Sequence, residues 1–129
     1  MRLIILIFLI FLPISAKSNE ILTIYTYDSF ISEWGPGPTI KQRFKEKYNH
    51  EIKFVSSDSS SSLLSKIILE GPSTKADIVL GLDMNLLVQA KETNLFSKHS
   101  LNNLNEKINL PIKWTDKIFV PFNYGYFAF

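Results

Sequence analysis

The sequence contains no cysteine and only two histidines among its 129 residues. The lack of cysteine excludes a small disulfide-stapled scaffold, cysteine-ligated zinc and thiol catalysis. It also removes the residue to which a lipid would be attached at the mature N-terminus of a bacterial lipoprotein. The chain must therefore rely on an ordinary packed core, and we expect a freely soluble product in a periplasm-like space.

Familiar catalytic motifs are missing as well. The chain has no G-x-S-x-G, no H-E-x-x-H, no Walker loop and no G-x-G-x-x-G after a predicted strand. His50 and His99 each lie among polar neighbours, far from a matching acid or nucleophile. The Gly-Pro-Gly-Pro stretch that begins at Gly35 has the wrong spacing for a phosphate loop, and its prolines lack N–H donors. The sequence predicts that the protein is not an enzyme and holds no metal.

The N-terminus predicts export. Arg2 precedes ten apolar residues, Leu3 to Leu12, which are followed by Pro13 and by small or polar residues. This pattern is typical of a secretory signal peptide, and ten residues are too few to span a bilayer, which needs about 20. We assign residues 1–18 to the signal and predict a periplasmic protein without stable membrane insertion after cleavage; the alternative is an uncleaved anchor.

Cleavage of the predicted signal peptide would remove the formal net positive charge of the chain. Fourteen basic residues face twelve acidic ones, and Arg2 and Lys17 both lie upstream of Ser18, so cleavage there leaves twelve of each. No basic cluster with interleaved aromatic residues is present. The sequence therefore predicts no nucleic-acid partner.

Strand-like and helix-like segments alternate along the rest of the chain. The expected elements are a strand at Ile21–Tyr27, a helix at Thr39–Tyr48, a strand at Glu51–Val55, a helix ended by Gly71-Pro72, a strand at Ala76–Leu82 and a short helix at Asn85–Lys91. This order predicts an open, mainly parallel α/β sheet. The aromatic stretch Ile118–Phe129 predicts one or two more strands, and its abrupt apolar end leads us to expect a truncated chain.

The connection after the first strand is the most unusual segment. Between Tyr25 and Pro38 the sequence reads Y-T-Y-D-S-F-I-S-E-W-G-P-G-P, which combines the aromatic residues Tyr27 and Trp34 with two acids. Aromatic faces beside carboxylates suit a flat, cationic small molecule. The alternative is a rigid surface loop in which Trp34 merely covers the core.

Two further polar segments follow predicted strands. Ser59 to Ser62 stand where a helix begins, which suits either a phosphate cradle or an ordinary serine N-cap. Asp83 follows the third strand and is expected either at the ligand rim or as a helix cap, whereas Asp77 is expected to be structural. Because ligands of open α/β sheets bind outside the carboxyl ends of the strands, all three post-strand segments should share one rim.

Three ordered motifs give the chain a family resemblance. Y-T-Y-D-S-F with W-G-P-G-P, K-A-D-I-V-L-G-L-D-M-N-L-L from Lys75, and F-V-P-F-N-Y-G-Y-F-A-F from Phe119 closely resemble periplasmic thiamine-binding proteins, the substrate-binding subunits of bacterial thiamine ABC importers. The resemblance implies a type II periplasmic-binding-protein fold of which only the first lobe is present. Residues 19–122 would form that α/β lobe, residues 123–129 would begin the hinge crossing, and the second lobe would be missing.

The same resemblance implies ligands, partners and roles. The ligand would be thiamine, thiamine monophosphate or thiamine diphosphate, with no further cofactor, and the partners would be an ABC permease and its ATPase subunit. Ser59 and Ser60, which stand where relatives carry an acidic–glycine pair, would approach the phosphate end, and Tyr27 and Trp34 would line the cleft. Asn123, Tyr124 and Gly125 would lie at the hinge.

Without a second lobe, binding is expected to be impaired. Two alternatives stay open: a receptor for another small cationic solute, such as a polyamine or an iron complex, and a non-functional remnant.

Overall fold

The computed structural model describes residues 20–107 and 113–125. Its strands are β1 (Ile21–Tyr27), β2 (Glu51–Ser57) and β3 (Ile78–Val79). Its α-helices are α1 (Asp28–Ile31), α2 (Gly37–Tyr48), α3 (Ser60–Glu70), α4 (Leu87–Glu92) and α5 (Leu104–Lys107), with short 3₁₀ turns at Gly71–Ser73 and Met84–Leu86. The predicted signal peptide, residues 1–18, and the end of the predicted hinge segment, residues 126–129, lie outside the described residues.

The three strands form one parallel sheet in the order β2-β1-β3. The β1–β2 ladder runs in register from Ile21 opposite Glu51 to Tyr27 opposite Ser57. Strand β3 pairs with the other side of β1, at Ile24 and Tyr25. The predicted open, parallel α/β sheet is therefore confirmed, with β1 at its centre.

Strand β3 is shorter than the predicted Ala76–Leu82. Backbone hydrogen bonds to β1 continue one residue to either side of it, because the Asp77 N–H donates to Thr23 O at 2.9 Å and the Leu80 N–H donates to Tyr25 O at 2.8 Å. Gly81 then adopts a φ of +103°, which turns the chain out of the extended conformation. This left-handed glycine ends the pairing before Leu82.

The helices largely follow the predicted pattern. Helix α2 begins at Gly37 with a proline in its first turn and ends at Asn49, whose φ of 55° and N–H bond to Lys45 O form a left-handed cap. Helix α3 ends at Gly71, as predicted. Helix α1 was not predicted, because its four residues lie inside a segment whose glycines and prolines indicated only a loop.

Alternate residues of β1 contribute to a core on each side of the sheet. On one side Tyr25 packs with Leu63 and Ile67 of α3, and the partly buried residues Val55, Ala76, Val79, Leu82, Leu95 and Phe96 surround them. On the other side Ile24 and Thr26 are buried, and the Phe30 ring makes an edge contact with the Phe54 ring at 5.9 Å. The sheet is thus covered on both faces, as a parallel sheet requires.

Residues 113–125 contain no strand, so the strands predicted for Ile118–Phe129 are absent from the described part of that stretch. The backbone N–H groups of Ile118 and Phe119 both donate to Asp116 Oδ1, at 2.8 and 3.0 Å, and are therefore unavailable to a ladder. Pro121 has no N–H to offer. Apolar and aromatic composition suggested a strand, but local side-chain hydrogen bonds and a proline determine the conformation here.

Asp116 connects residues 113–125 to helix α4 and to His99. Its carboxylate is paired with Lys91 of α4, and its backbone carbonyl bonds the His99 ring at 3.1 Å. Burial by itself would raise the pKa of the Asp116 carboxyl, but the Lys91 ammonium and the two backbone N–H groups lower that pKa to about 2. The negatively charged form is therefore the one that stabilises the fold.

Thr26→Val is predicted to raise the free energy of unfolding by about 1 kcal/mol. Thr26 is fully buried, and its Oγ1 has no hydrogen-bond partner among the described residues, so the hydroxyl carries an uncompensated desolvation cost. Thr26→Ser keeps the hydroxyl and loses a methyl group, and it should lower stability by about 1 kcal/mol. Urea denaturation measures both changes; a loss of stability in Thr26→Val would contradict the prediction.

Asp116→Asn is predicted to lower the free energy of unfolding by about 2 kcal/mol at neutral pH. The folded-state pKa lies below the ordinary value of 3.8, so this stabilisation is present above about pH 4 and is lost as the pH falls towards 2. Denaturation at several pH values should show a flatter acid limb for the variant. Glu92→Gln removes an exposed carboxylate from α4 and should change stability by less than about 0.5 kcal/mol; equal losses in both variants would refute a specific role for Asp116.

Candidate ligand-binding site

The candidate site lies at the carboxyl edge of the sheet. Tyr27 and Ser57 form the last pair of the β1–β2 ladder, and β3 runs parallel to both strands. The segments 28–36, 58–62 and 80–86 therefore begin at one edge. This is the rim predicted from the sequence.

Tyr27 contacts the segment that follows β3. Its ring is half-buried, makes an edge contact with the Phe30 ring at a centroid distance of 5.8 Å, and lies against Gly81. A Cβ atom added to Gly81 would come within 2.3 Å of Cδ1 and 2.5 Å of Cε1 of that ring. The aromatic residue at the end of β1 is thus held between α1 and the loop after β3.

The serines at the start of α3 form a capping box. The Ser59 hydroxyl accepts from the Ser62 N–H at 3.2 Å, the Ser62 hydroxyl accepts from the Ser59 N–H at 3.1 Å, and the Ser62 hydroxyl also donates to the Asp58 carboxylate. The N-cap alternative is therefore correct for Ser59. A ligand contact from Ser59 stays a prediction.

Ser60 joins α3 to the same loop. Its hydroxyl donates to the Gly81 carbonyl oxygen at 2.6 Å in a partly buried position. Tyr27 and Ser60, which the resemblance places in the ligand site, therefore meet at Gly81. Direct contact of Ser60 with a ligand stays a prediction.

The two aspartates that flank β3 have the roles expected of a cap and a structural residue. Asp83 accepts from the Asn85 N–H at 2.9 Å and caps the turn at Met84–Leu86, while remaining exposed. Asp77 accepts from the Thr23 N–H at 2.7 Å at the other end of the strand. Only Asp83 lies on the segment that borders the rim, and its contact with a ligand stays a prediction.

Trp34 projects from the loop after α1. Its side chain is 80% exposed, so the alternative that this residue covers the core is wrong. The loop is folded tightly onto α1, because a Cβ at Gly35 would lie 2.4 Å from Ser29 O and one at Gly37 would lie 2.7 Å from Phe30 O. The structure does not bring Trp34 into the cluster of Tyr27, Ser60 and Gly81.

The rim is acidic. Exposed carboxylates follow the strands at Asp28, Glu33, Asp58 and Asp83. The segments 28–38, 56–62 and 80–86 contain no lysine or arginine. These segments therefore carry a net negative charge, which favours a cation over an anion.

The predicted hinge residues Asn123, Tyr124 and Gly125 are exposed and lie outside regular secondary structure. The residue before them, Phe122, makes an edge contact with the Phe30 ring at 5.7 Å. The chain therefore passes α1, next to the rim, as it reaches the predicted hinge. The hinge role itself stays a prediction.

A shallow groove of about 620 Å³ lies elsewhere, between α4 and residues 113–118. Met84, Leu87 and Trp114 contribute to its walls, and none of the predicted ligand residues does. Within residues 20–107 and 113–125, no three acidic or histidine side chains come together to hold a metal ion. No helix in these two ranges is long and apolar enough to cross a membrane.

Comparisons with known proteins agree with the geometry. The chain is 48% identical over 114 residues to the thiamine-binding periplasmic protein of Salmonella typhimurium, with 88% of this chain covered. It is 48% identical over 117 residues to that of Escherichia coli and 43% identical over 115 residues to that of Haemophilus influenzae. The chain spans about a third, 34–35%, of the length of these relatives. No protein-family model matches it.

Solved structures are also similar to this chain over part of their length. A periplasmic thiamin binding protein superposes with a TM-score of 0.71 at 42% identity, over 79% of this chain and 31% of that one. Trichodesmium IdiA (FutA), in complex with iron and citrate ligands, superposes with a TM-score of 0.54 at 20% identity, over 67% of this chain and 26% of that one. The second likeness shows the fold alone.

The fold is that of part of a periplasmic solute-binding protein. Within that class, the resemblance to periplasmic thiamine-binding proteins is confirmed over about a third of their length. The relatives are periplasmic by name, in agreement with the localisation predicted from the N-terminus.

Gly81 is the site residue that the sequence reasoning missed. The apolar run predicts that Gly81 lies within a strand, although a glycine between Leu80 and Leu82 also signals a bend or a close approach. Its contact with the Tyr27 ring could not be found from spacing, because it depends on the register of β3 against β1.

Ser59→Ala is predicted to lower the free energy of unfolding by about 1 kcal/mol, through loss of the capping hydroxyl. Ser61 is exposed and takes no part in the capping box, so Ser61→Ala should change stability by less than about 0.5 kcal/mol. Thermal and urea denaturation would compare the two variants. Equal stability of Ser59→Ala and the unsubstituted protein would show that the box contributes nothing.

Proposed function

We propose that this chain supplies one face of a thiamine-binding site and acts by binding rather than by catalysis, as part of a periplasmic receptor of an ABC importer. The observation that carries the proposal is the rim of exposed carboxylates and aromatic residues at the carboxyl edge of the sheet. The similarity to proteins named as thiamine-binding gives the ligand its identity.

The chemistry of the rim suits the positively charged end of thiamine. The thiazolium ring is flat and permanently cationic, and an aromatic face such as that of Tyr27 or Trp34 contributes about 0.5–2 kcal/mol to holding such a cation. The carboxylates of Asp28, Glu33, Asp58 and Asp83 add negative charge, and the segments 28–38, 56–62 and 80–86 that carry them contain no lysine or arginine. A flat cation therefore gains both from stacking and from charge.

The start of α3 suits the phosphate end of thiamine monophosphate and thiamine diphosphate. The first backbone N–H groups of an α-helix have no intrahelical partner and carry the positive end of the dipole. In α3 the Ser62 N–H is already bonded to the Ser59 hydroxyl, and Asp58 on the flank opposes an anion, so the proposed donors are the earlier N–H groups of Ser60 and Ser61. We propose that this end of α3 holds the phosphates while the aromatic residues hold the rings.

The relatives are about three times as long as this chain, so the receptor function proposed here belongs to a longer protein. In such a protein a second surface would close on the ligand, and a permease with its ATPase would accept it. The present chain offers one of those surfaces, and we expect weak binding by it alone, because an open face leaves half of the ligand in water.

Other cationic solutes are less well matched. A polyamine would use the carboxylates but not the flat aromatic faces. An iron complex is suggested by a likeness of fold at 20% identity, but the described ranges contain no group of three or more histidine, cysteine, aspartate or glutamate side chains placed to hold a metal ion.

Thiamine is predicted to quench Trp34 in a saturable way. Trp34 and Trp114 are the two tryptophans of the chain, so Trp114→Phe leaves Trp34 as the single fluorophore. Titration of this variant, corrected for absorbance by thiamine, should give a Kd weaker than about 1 μM, as expected for an incomplete site.

Two controls test whether the quenching comes from Trp34 and whether it requires the positive charge of thiamine. In Trp34→Phe the remaining tryptophan lies in the groove beside α4, and its emission should not change with thiamine. The neutral compound 4-methyl-5-thiazoleethanol lacks the cation and should quench the Trp114→Phe variant weakly or not at all. Binding of spermidine with equal or greater affinity would reject thiamine as the ligand, and so would the absence of quenching in a folded protein.

A further inference from the structure

We propose that Gly81 is a positioning residue for the ligand site, which fixes the ring of Tyr27 and joins it to the first turn of α3. This inference rests on the proposed function, in which Tyr27 is one of the aromatic faces. It goes beyond that function because Gly81 has no side chain of its own to contact a ligand.

The first observation is the absence of space beside Gly81. A Cβ at this position would come within 2.3 Å of Cδ1 and 2.5 Å of Cε1 of Tyr27, while Cγ would be 3.6 Å away. Separations of that size are sterically impossible, so any side chain would displace either the ring or the loop. Because Gly81 has no Cβ, one edge of the Tyr27 ring can occupy the space beside it.

The second observation is the polar contact of the same residue. The Gly81 carbonyl oxygen accepts the Ser60 hydroxyl at 2.6 Å, and Ser60 is the first residue of α3. Gly81 therefore contacts the end of β1 through its Cα and the start of α3 through its oxygen. It links the proposed aromatic and phosphate parts of the site.

The ring is held from a second direction by Phe30, at a centroid distance of 5.8 Å. Contacts on both sides restrict the rotation of Tyr27 before a ligand arrives. Such preorganisation saves the conformational entropy that a free aromatic side chain would lose on binding. Displacement of the ring should therefore weaken binding even if the fold survives.

The chain offers a matched control for the backbone of Gly81. Gly71 also has a positive φ, +52°, and a Cβ at Gly71 would meet nothing within 4 Å. Alanine at either position adopts an unfavourable backbone conformation, but only alanine at Gly81 meets the Tyr27 ring. The difference between the two substitutions isolates the ring contact.

The experiment compares Gly81→Ala, Gly71→Ala and the unsubstituted chain, each labelled with 3-fluorotyrosine. The chain has five tyrosines, and Tyr27→Phe identifies the ¹⁹F resonance of Tyr27. Without ligand, Gly81→Ala should shift or broaden that resonance, whereas Gly71→Ala should leave it in place. An unchanged Tyr27 resonance in folded Gly81→Ala would overturn the proposal.

Thiamine titration then tests the role in binding. Gly81→Ala should weaken binding about tenfold and Gly71→Ala less than twofold, and in the Tyr27→Ala background Gly81→Ala should have no further effect. Equal affinities of the two alanine variants would overturn the positioning role. If the unsubstituted chain does not bind thiamine, the proposed function fails, whereas the ligand-free NMR comparison still decides whether Gly81 fixes Tyr27.

If Gly81→Ala does not fold, a double variant tests whether the clash with the Tyr27 ring is the cause. Removal of the ring in Tyr27→Ala/Gly81→Ala should then restore a folded protein, as judged by circular dichroism, because the clash is gone. If the double variant also fails to fold while Gly71→Ala folds, the loss cannot be assigned to the ring and the proposal is refuted.

Discussion

Parallel pairing on both sides of β1 is the constraint on which the rest of this structure depends. Parallel strands require crossover connections, and they place all of their carboxyl ends at one edge of the sheet. The segments after Tyr27, Ser57 and Val79, which are 30 and 22 residues apart in sequence, therefore begin at the same edge. The topology of the sheet alone therefore brings these segments to one edge, and the candidate site is built from them.

Much of the fold could be predicted, because its signals are local. Strand β1 has the predicted bounds, and the glycine that ends α3 lies where the sequence placed it. The parallel sheet and the shared rim followed from the alternation of strands and helices. These features depend on periodicity, caps and turn residues, all of which can be read within a few positions of the chain.

The errors arose where specific hydrogen bonds or a single glycine override the strand preference of the side chains. Ile118 and Phe119 have strand-like side chains, but their backbone N–H groups are bound by Asp116, whose position depends on Lys91 in another element. The length of β3 was overestimated because its hydrogen bonds to β1 reach only Leu80, and Gly81, with a φ of +103°, then leaves the extended conformation. In neither place did composition show the outcome: at Ile118 and Phe119 it depends on hydrogen bonds from a side chain two or three residues away, and after β3 on the backbone conformation of a single glycine.

The acidic rim has a consequence for the lobe when no cation is present. The four carboxylates have no basic neighbour in their own segments, so this edge carries an excess of negative charge whose effect grows as ionic strength falls. A bound cation would relieve the repulsion as well as make contacts of its own. The affinity for a cation would then include relief of the repulsion between carboxylates, and physiological salt should weaken both this repulsion and the attraction of the cation.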